Sequence, residues 1–477
     1  MKTLAFFRLA LFTIIISLLF VPSVYAQWEP DRRLTMWPDS SLTSWNNAHS
    51  IATGTGGYLH VVWGDYRDGG YAEIYYKRST DHGASWSQDI RLTDPPVWAE
   101  FPSVSALDSN VIIVWEDHRG GADEIYYKRS TDQGTTWSQD MRLTIDSSAS
   151  YSASIWVSGS HVHVVWVDYV SRSYNSEIFY VGSTDRGATW LQAIRLTYNS
   201  SWSELPSVWT SDSNVVVVWY DMRDGNREIY AKRSTDWGAT WSQDVRLTND
   251  PDWSFNSSVS GSDSYVYAVW QESRDGNSEI YAKRSPDWGA TWSQDVRLTY
   301  DSAWSGLPTV SALGPNVHVA WWDDRDGSSW NREIYYKRST DRGTTWSQDT
   351  RLTFDPSYSL YPSLAISDSM VNAVWTDYRD GNYEVYYKRN PTGNSGIEEN
   401  IKSRSIDCST PTVHPNPFIS FATVQEHKGE RFVLYDISGR KVGIYKRNRI
   451  GEGLAPGVYF IRSLERKAGL GRIVKIR

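Results

Sequence analysis

The 477-residue sequence contains one cysteine, Cys408. It cannot form an internal disulfide, so packing and hydrogen bonds must stabilise the fold. After residue 20 there is no apolar run of the ~20 residues that a membrane-spanning helix needs. Basic residues are few between residues 27 and 390, where 48 Asp and Glu stand against 31 Lys and Arg. Because phosphate binding needs a basic face, this acidic region argues against nucleic acid as a partner.

The first 26 residues have the pattern of a secretory signal peptide. Lys2 and Arg8 lie before or within an apolar run that ends at Phe20, and small residues precede Gln27. This pattern predicts cleavage after Ala26 and no transmembrane span afterwards. An uncleaved anchor is the alternative, which the short apolar run disfavours.

The remaining sequence is rich in aromatics, with 26 Trp and 30 Tyr, which favour β-strands. An octet S-x-D-x-G-x-[TS]-W recurs at intervals of 51 to 54 residues. A fixed period of this length indicates repeated supersecondary units that stack on one another. The octets end at Trp86, Trp137, Trp190, Trp241, Trp292 and Trp346.

Each repeat divides into four short predicted strands, called A to D. In the fourth repeat these are LPSVW (205–209), NVVVVW (214–219), EIYAKRS (228–234) and TWSQDVRLT (240–248), separated by turn sequences. Seven B strands end in Trp, but only six octets follow them. The missing D strand is WEPDRRLT (28–35), which matches WSQDIRLT (86–93). We therefore predict an all-β fold: a seven-bladed β-propeller of four-stranded antiparallel blades, closed by an N-terminal strand.

Within the octet, turn chemistry assigns each residue type a structural role. The Asp carboxylate can accept backbone N–H groups, the Gly can adopt positive φ, and the Trp can pack on the blade beneath. The octets resemble the Asp-box (BNR) repeats of sialidase-like propellers, over residues 28 to about 389. That resemblance implies a propeller but no particular activity, because such proteins include hydrolases, lectins, receptors and assembly factors. The structural aspartates are Asp81, Asp132, Asp185, Asp236, Asp287 and Asp341.

The C-terminal region differs in composition, with 15 Lys and Arg against 8 Asp and Glu in residues 391–477. Residues 391–411 are predicted to be a linker. Residues 412–477 contain HPNPF, FVLYDISGRKV, LAPGVYFIR and a terminal RIVKIR. They resemble the C-terminal sorting domain of the type IX secretion system, a small β-sandwich; an unrelated β-domain is the alternative. The resemblance implies the type IX machinery as a partner, and a secreted or outer-surface protein of a diderm bacterium.

The propeller, residues 27–390, should present ligands on the face opposite the octets, where the B–C and D–A loops lie. Aromatic residues recur in the D–A loops, and Asp or Glu is followed two residues later by Arg in the B–C loops. Aromatic rings can stack on sugars while charged groups bind hydroxyls or acidic substituents. Alternatively, the arginines pair within the blade and the aromatics fill wedges between blades. The candidate ligand-binding residues are Trp98, Trp202, Trp253, Trp304, Tyr358, Asp221, Arg223, Arg274, Asp323, Arg325, Asp377 and Arg379.

No catalytic group can be assigned from the sequence. The Arg-Ile-Pro element that a sialidase would contain is absent, and no unique Tyr/Glu pair can be picked out. No metal-ligand spacing, phosphate loop or Ser-His-Asp signature occurs, so no metal or cofactor is expected. We predict a secreted or surface propeller that binds glycan or protein ligands. The alternatives are an extracellular glycoside hydrolase, a polysaccharide lyase, and a purely structural surface protein.

Overall fold

A computed structural model describes residues 28–46, 49–94, 98–145, 148–170, 175–327 and 331–394. It also describes segments 413–414, 422–424, 432–436, 440–445, 449–450, 454–463 and 471–475. The predicted signal peptide and Cys408 lie outside these residues. The chain divides into two compact units, residues 1–398 and 399–477.

The predicted all-β class is confirmed, because the described part of the first unit contains antiparallel sheets, one 3-10 turn (Thr55–Gly57) and no α-helix. In order from A to D, the strands of sheet 1 are Ser41–Leu42 with Ile51–Thr53, Leu59–Asp65, Glu73–Ser79 and Ile90–Arg91. Those of sheet 2 are Ala99–Leu107, Asn110–Asp117, Glu124–Ser130 and Met141–Arg142. Those of sheet 3 are Ser150–Ser158, His161–Val170, Asn175–Ser183 and Ile194–Arg195. Those of sheet 4 are Ser203–Ser211, Asn214–Asp221, Glu228–Ser234 and Val245–Arg246. Those of sheet 5 are Ser254–Ser262, Tyr265–Glu272, Glu279–Ser285 and Val296–Arg297. Those of sheet 6 are Ser305–Leu313, Asn316–Asp323, Glu333–Ser339 and Thr350–Arg351. Sheet 7 contains Ser359–Ser367, Met370–Asp377, Glu384–Asn390 and, at position D, Arg32–Arg33.

The D position of sheet 7 is filled from the beginning of the described chain. Arg32 pairs with Tyr387 and Arg33 with Tyr386. Two further main-chain hydrogen bonds extend the pairing, from Glu29 N to Arg389 O and from Leu34 N to Val385 O, both 2.8 Å. The match between residues 28–35 and 86–93 predicts this pairing.

The D strands are shorter than the nine residues predicted. In sheet 4 only Val245–Arg246 is paired as a strand, and Leu247 adds one hydrogen bond to Ile229 O. The preceding residues instead complete the octet turn, where Ser242 N donates to Arg233 O. The Trp and the Asp within this predicted D strand therefore lie before the two residues that pair with the C strand.

The core lies between consecutive sheets. The Trp near the end of each B strand is at most 2% exposed, and its indole N–H donates to the Asp or Glu two residues later. One cluster of buried apolar residues joins each consecutive pair of sheets, and another joins sheet 7 to sheet 1. These contacts are consistent with propeller blades packed face to face.

The octet turns connect neighbouring sheets. Gly134 has φ 74°, and a Cβ at this position would lie 1.9 Å from the hydroxyl of Tyr76 in sheet 1. Trp137 meets Tyr76 edge to face, with ring centroids 4.9 Å apart. The turn of sheet 2 therefore packs on the C strand of sheet 1, and glycine is required because any side chain would displace Tyr76.

The second unit contains two sheets among its described residues. The first comprises Val413–His414, Ala422–Val424 and Arg449–Ile450; the second comprises Lys441–Tyr445, Phe432–Asp436, Gly457–Ser463 and Gly471–Lys475. Phe432, Leu434 and Ile461 are buried in the second sheet. The sandwich arrangement remains a prediction, as do the domain boundaries. Residues 391–394, which the sequence predicts to begin the linker, form a turn in which Asn394 N donates to Ser369 O.

Among the described residues, no helix is long and apolar enough to cross a membrane.

Candidate functional site

The recurring Asp/Arg pairs form ion networks within each sheet. In sheet 4, Asp221 accepts hydrogen bonds from the Ser203 hydroxyl and from Arg223. Arg223 also binds Asp244 at 2.7 Å, and Lys232 binds the other oxygen of Asp244 at 2.9 Å. Burial alone would lower the pKa of Arg223, but the hydrogen bonds and charges of Asp221 and Asp244 raise it.

The same arrangement recurs at the other predicted pairs. Each arginine bridges the acid at the end of its B strand and the Asp of the D segment, and lies over the C-strand Tyr. These contacts account for the pairs as parts of the sheet, and their role in ligand binding remains a prediction. The arginines and their acids are Arg274 with Glu272 and Asp295, Arg325 with Asp323 and Asp349, and Arg379 with Asp377 and Asp31.

The predicted aromatic residues do not fill closed wedges between sheets. Trp98 and Trp202 are each 47% exposed, Trp253 is 53% exposed and Trp304 is 57% exposed, while Tyr358 is half-buried. Their main chains are nevertheless fixed. The carbonyl of each accepts an N–H from the B–C loop of the following sheet, the donors being His118, Met222, Ser273, Asp324 and Tyr378.

A second set of residues, which the sequence analysis missed, lies where the A and B strands meet beside these loops. Here each long A strand has a bulge whose central residue has φ between 48° and 57°. The residue before it pairs with the B-strand residue that directly follows the buried Trp. These pairs differ in every sheet: Leu42/Gly64, Glu100/Glu116, Tyr151/Val167, Glu204/Tyr220, Phe255/Gln271, Gly306/Trp322 and Leu360/Thr376.

Only sheet 2 has two carboxyl groups at this pair of positions. Glu100 and Glu116 are directly opposite across the strands, so their side chains share one face of the sheet. Both line a cavity of about 200 Å³ together with Trp98, His118 and Asp123. Glu100 also lines a neighbouring cavity of about 250 Å³ with Tyr66, whose hydroxyl donates to Glu100 at 2.5 Å.

Glu116 holds its proton more strongly than an ordinary carboxyl. Burial raises the pKa of Glu116 to about 8, and the charges of Asp123 and Glu100 add to the rise. The Ser152 N–H, which donates to Glu116 at 2.6 Å, opposes it. No described Lys or Arg forms an ion pair with Glu116. At neutral pH Glu116 can therefore serve as a proton donor in this site.

Sheets 3 and 4 contribute a Tyr/Glu group that sequence inspection could not single out. Glu204 accepts hydrogen bonds from the hydroxyls of Tyr220, Tyr151 (3.3 Å) and Ser176 (3.0 Å). Burial and the nearby Glu204 raise the pKa of both tyrosines, so both remain protonated at neutral pH.

Two arginines outside the recurring pairs have no acidic partner among the described residues. Arg227 lies over Trp253 at 4.8 Å from the ring centroid, and Arg332 lies over Trp322 at 4.1 Å. The Nε atom of each is buried without a hydrogen-bond partner in the described structure. Each guanidinium therefore rests on an aromatic face.

The signal for this second set was present in the sequence. Aligning the repeats from one B-strand Trp to the next places Gly64, Glu116, Val167, Tyr220, Gln271, Trp322 and Thr376 in a single column. The residue type at this position differs from repeat to repeat, although the surrounding sequence is repeated. The fold therefore does not constrain which residue stands there. The described residues contain no group of three side chains suited to a metal ion.

No family model matches the sequence, and no curated protein is similar to it. Solved structures are similar in fold. An ulvan lyase, a polysaccharide lyase bound to -[GlcA(1-4)Rha3S]-, is 11% identical and covers 75% of this chain and 95% of its own, with a TM-score of 0.53. A Hadza microbial sialidase is 14% identical (67% and 73% covered; TM-score 0.43), and the phage phi92 endosialidase is 10% identical (94% and 87% covered; TM-score 0.46).

The fold is that of a β-propeller. At such low identity the similarity extends to the fold alone, so the function has to be argued from the site.

Proposed function

We propose that the first unit is a closed, seven-bladed propeller that binds an extracellular glycan on the face formed by its B–C and D–A loops. The observation that carries this proposal is the recurrence of half-exposed tryptophans with fixed main chains on that face. Exposing a large aromatic ring has a free-energy cost in water, and its repetition is explained if the rings meet sugar faces. The pairing of Arg32–Arg33 with the last C strand supports closure.

Polar groups beside the rings support a glycan over an apolar ligand. Trp98 shares a cavity with Glu100 and His118, and Trp253 lies against Arg227. Stacking platforms flanked by hydrogen-bonding groups are the usual composition of a sugar site. The ulvan lyase that shares the fold is bound to -[GlcA(1-4)Rha3S]- in its structure.

We further propose that the protein is exported through its N-terminal signal peptide and recognised by the type IX machinery through residues 412–477. The mature protein would then be secreted or held at the outer surface of a diderm bacterium. These proposals rest on the sequence resemblance and on the apolar N-terminal segment.

Glycan-array binding tests the main proposal. The double variant Trp202→Ala/Trp253→Ala should lose at least about tenfold in affinity, because both stacking surfaces are removed. Its melting temperature should change little, because both rings are half-exposed. Trp237→Ala is the matched control, since Trp237 lies in the octet turn at the opposite edge of sheet 4. Unchanged binding by the double variant, or absence of any glycan ligand, would contradict the proposal.

A second candidate function is glycan cleavage, as a glycoside hydrolase or lyase, which the Glu100/Glu116 pair favours. A protonated Glu116 could act as the acid while the Glu100 carboxylate acts as the base. Polysaccharides that bind should then release reducing or unsaturated ends. Glu116→Gln should stop that release while leaving binding intact. If neither binding nor release occurs, a purely structural role is favoured.

A further inference from the structure

Four consecutive sheets present an aromatic residue at the same place in the D–A loop. These residues are Trp202, Trp253, Trp304 and Tyr358, from the loops that follow sheets 3, 4, 5 and 6. Sheet 2 has Ala149 at this place, and the segment that completes sheet 7 has Ser40. The four aromatics therefore form one uninterrupted series with a non-aromatic position at either end.

The same local turn positions each member of the series. Three residues before the aromatic, an Asn or Asp side chain accepts the N–H two residues further on. The N–H donors are Ser201, Asp252, Ala303 and Ser357, at 2.8 to 3.1 Å. This turn and the carbonyl contact to the following sheet fix the main chain on both sides of the ring. A rigidly presented ring loses little conformational entropy when it binds.

Side-chain amides from the B–C loops add a further restraint to three of these D–A loops. Asn226 Nδ2 donates to Asp250 O at 2.6 Å and to Asp252 O at 2.9 Å. Asn277 Nδ2 binds Asp301 O and Ala303 O in the same way, and Asn175 Nδ2 binds Asn199 O at 2.7 Å. These hydrogen bonds hold the main chain of each D–A loop in place against the sheet that precedes it.

The immediate surroundings of the rings differ from sheet to sheet. Trp253 is covered on one side by the Arg227 guanidinium. The main-chain N–H of Trp304 donates to the Asp324 carboxylate at 2.6 Å. Tyr358 packs against the buried apolar cluster that joins sheets 6 and 7. Four equivalent sites for one monosaccharide would need equivalent neighbours, whereas successive units along one polymer can each meet a different environment.

We propose, on the basis of the glycan-binding function above, that these four aromatics are successive stacking platforms for one extended polysaccharide chain that crosses sheets 3 to 6. The bound stretch is long enough to reach all four platforms, so it contains at least four sugar units. The ligand class is accordingly the interior of a polysaccharide, and not the terminal sugar of a glycan. Affinity arises from several weak contacts that act together on one chain.

Isothermal titration with size-graded oligosaccharides tests this proposal. The probes are cello-, xylo-, chito- and alginate oligosaccharides from disaccharide to octasaccharide, with the corresponding polymers. Affinity should rise by about 10²-fold between disaccharide and octasaccharide, and the octasaccharide should bind with a stoichiometry of one. Trp253→Ala should weaken octasaccharide binding by about tenfold, Trp253→Tyr should restore most of it, and Trp237→Ala should have no effect.

Two results would overturn the proposal while leaving glycan binding in place. Affinity independent of length with a stoichiometry of three or four would show independent sites. Tight binding of a single terminal sugar, unaffected by Trp253→Ala, would place the site elsewhere. If none of the oligomers or polymers binds, this proposal is overturned, and if the glycan array is also negative the proposed function fails with it.

Discussion

At the scale of single residues, Glu116 is the group whose charge state the fold perturbs most clearly within the candidate site. Its partner on the A strand is Glu100, the charge of Asp123 is also near, and its hydrogen-bond donor is a main-chain N–H. A carboxyl group at this place destabilises the fold when it is ionised. Such an arrangement is more readily explained by chemistry at the site than by stability.

The raised pKa of Glu116 predicts a pH-dependent stability. The folded protein retains the proton up to about pH 8, whereas the unfolded chain loses it near its ordinary value of about 4.3. The free energy of unfolding therefore falls as the pH rises between these two values. Glu116→Gln removes this dependence, and should raise the free energy of unfolding at pH 8.5 by about 1–3 kcal/mol relative to the wild type.

Urea unfolding at pH 4.5 and pH 8.5 measures the effect. The difference between variant and wild type should be small or reversed at pH 4.5, where both side chains are neutral. An equal shift at both pH values would mean that the substitution acts through packing and that Glu116 has an ordinary pKa.

Residue-level chemistry of the octet was accessible from the sequence, because it is local. Asp132 accepts the N–H groups of Thr135 and Thr136 within its own turn, and hydrogen bonding lowers its pKa to about 2 despite a small opposing effect of desolvation. Aligning the repeats marks the position of Glu116 as variable, but its pairing with Glu100 was not accessible, because only the strand register brings together two residues that lie sixteen positions and a bulge apart. The exposure of the loop tryptophans likewise depends on the neighbouring sheet, which one repeat cannot reveal.

At the scale of elements, the A, B and C strands follow from short repeated segments bounded by turn sequences, whereas the D strand does not. Its sequence has strand-like composition, yet most of it serves the octet turn and the ion network. The A-strand bulges were also missed, because non-glycine residues such as Leu205 adopt positive φ there without a sequence signature. Tertiary contacts between sheets determine both the short length of the D strand and the bulges in the A strands.

The ion network of each sheet should stabilise the pairing of its short D strand. In sheet 4, Asp244→Asn should lower the free energy of unfolding by about 1 kcal/mol, because Arg223 and Lys232 both lose a charged partner that is largely shielded from water. The matched control is Asp252→Asn in the exposed D–A loop of the same sheet. Guanidinium unfolding of both variants at low and high salt provides the measurement. Equal values for the two variants would mean that the network contributes nothing to stability.

At the scale of the whole first unit, the repeat count and the match between residues 28–35 and 86–93 led directly to the observed pairing of sheet 7. Repetition makes this inference robust, since six complete copies define what the seventh lacks. Ligand identity does not follow from the same evidence, because the residues that distinguish one propeller from another lie where the repeat varies.

The proposed closure of the propeller predicts that the segment before sheet 1 is part of the core. Leu34 is 3% exposed and packs with Val374 and Val385 of sheet 7, whereas Met36, two residues further on, is 73% exposed. Leu34→Ala should lower the free energy of unfolding by about 2–5 kcal/mol, and Met36→Ala should change it by less than about 0.5 kcal/mol. Equilibrium unfolding monitored by tryptophan fluorescence provides the comparison. If Leu34→Ala unfolds like the wild type, the segment is a loosely held tail.

The pairing between Arg33 and the strand that contains Glu384 also sets an order of events during synthesis. These two residues are 351 positions apart. At usual elongation rates the segment made first therefore waits roughly 20–70 s for its partner to leave the ribosome. During that interval the main chain around Arg33 has no strand to pair with. A product that ends before Glu384 never acquires that partner strand.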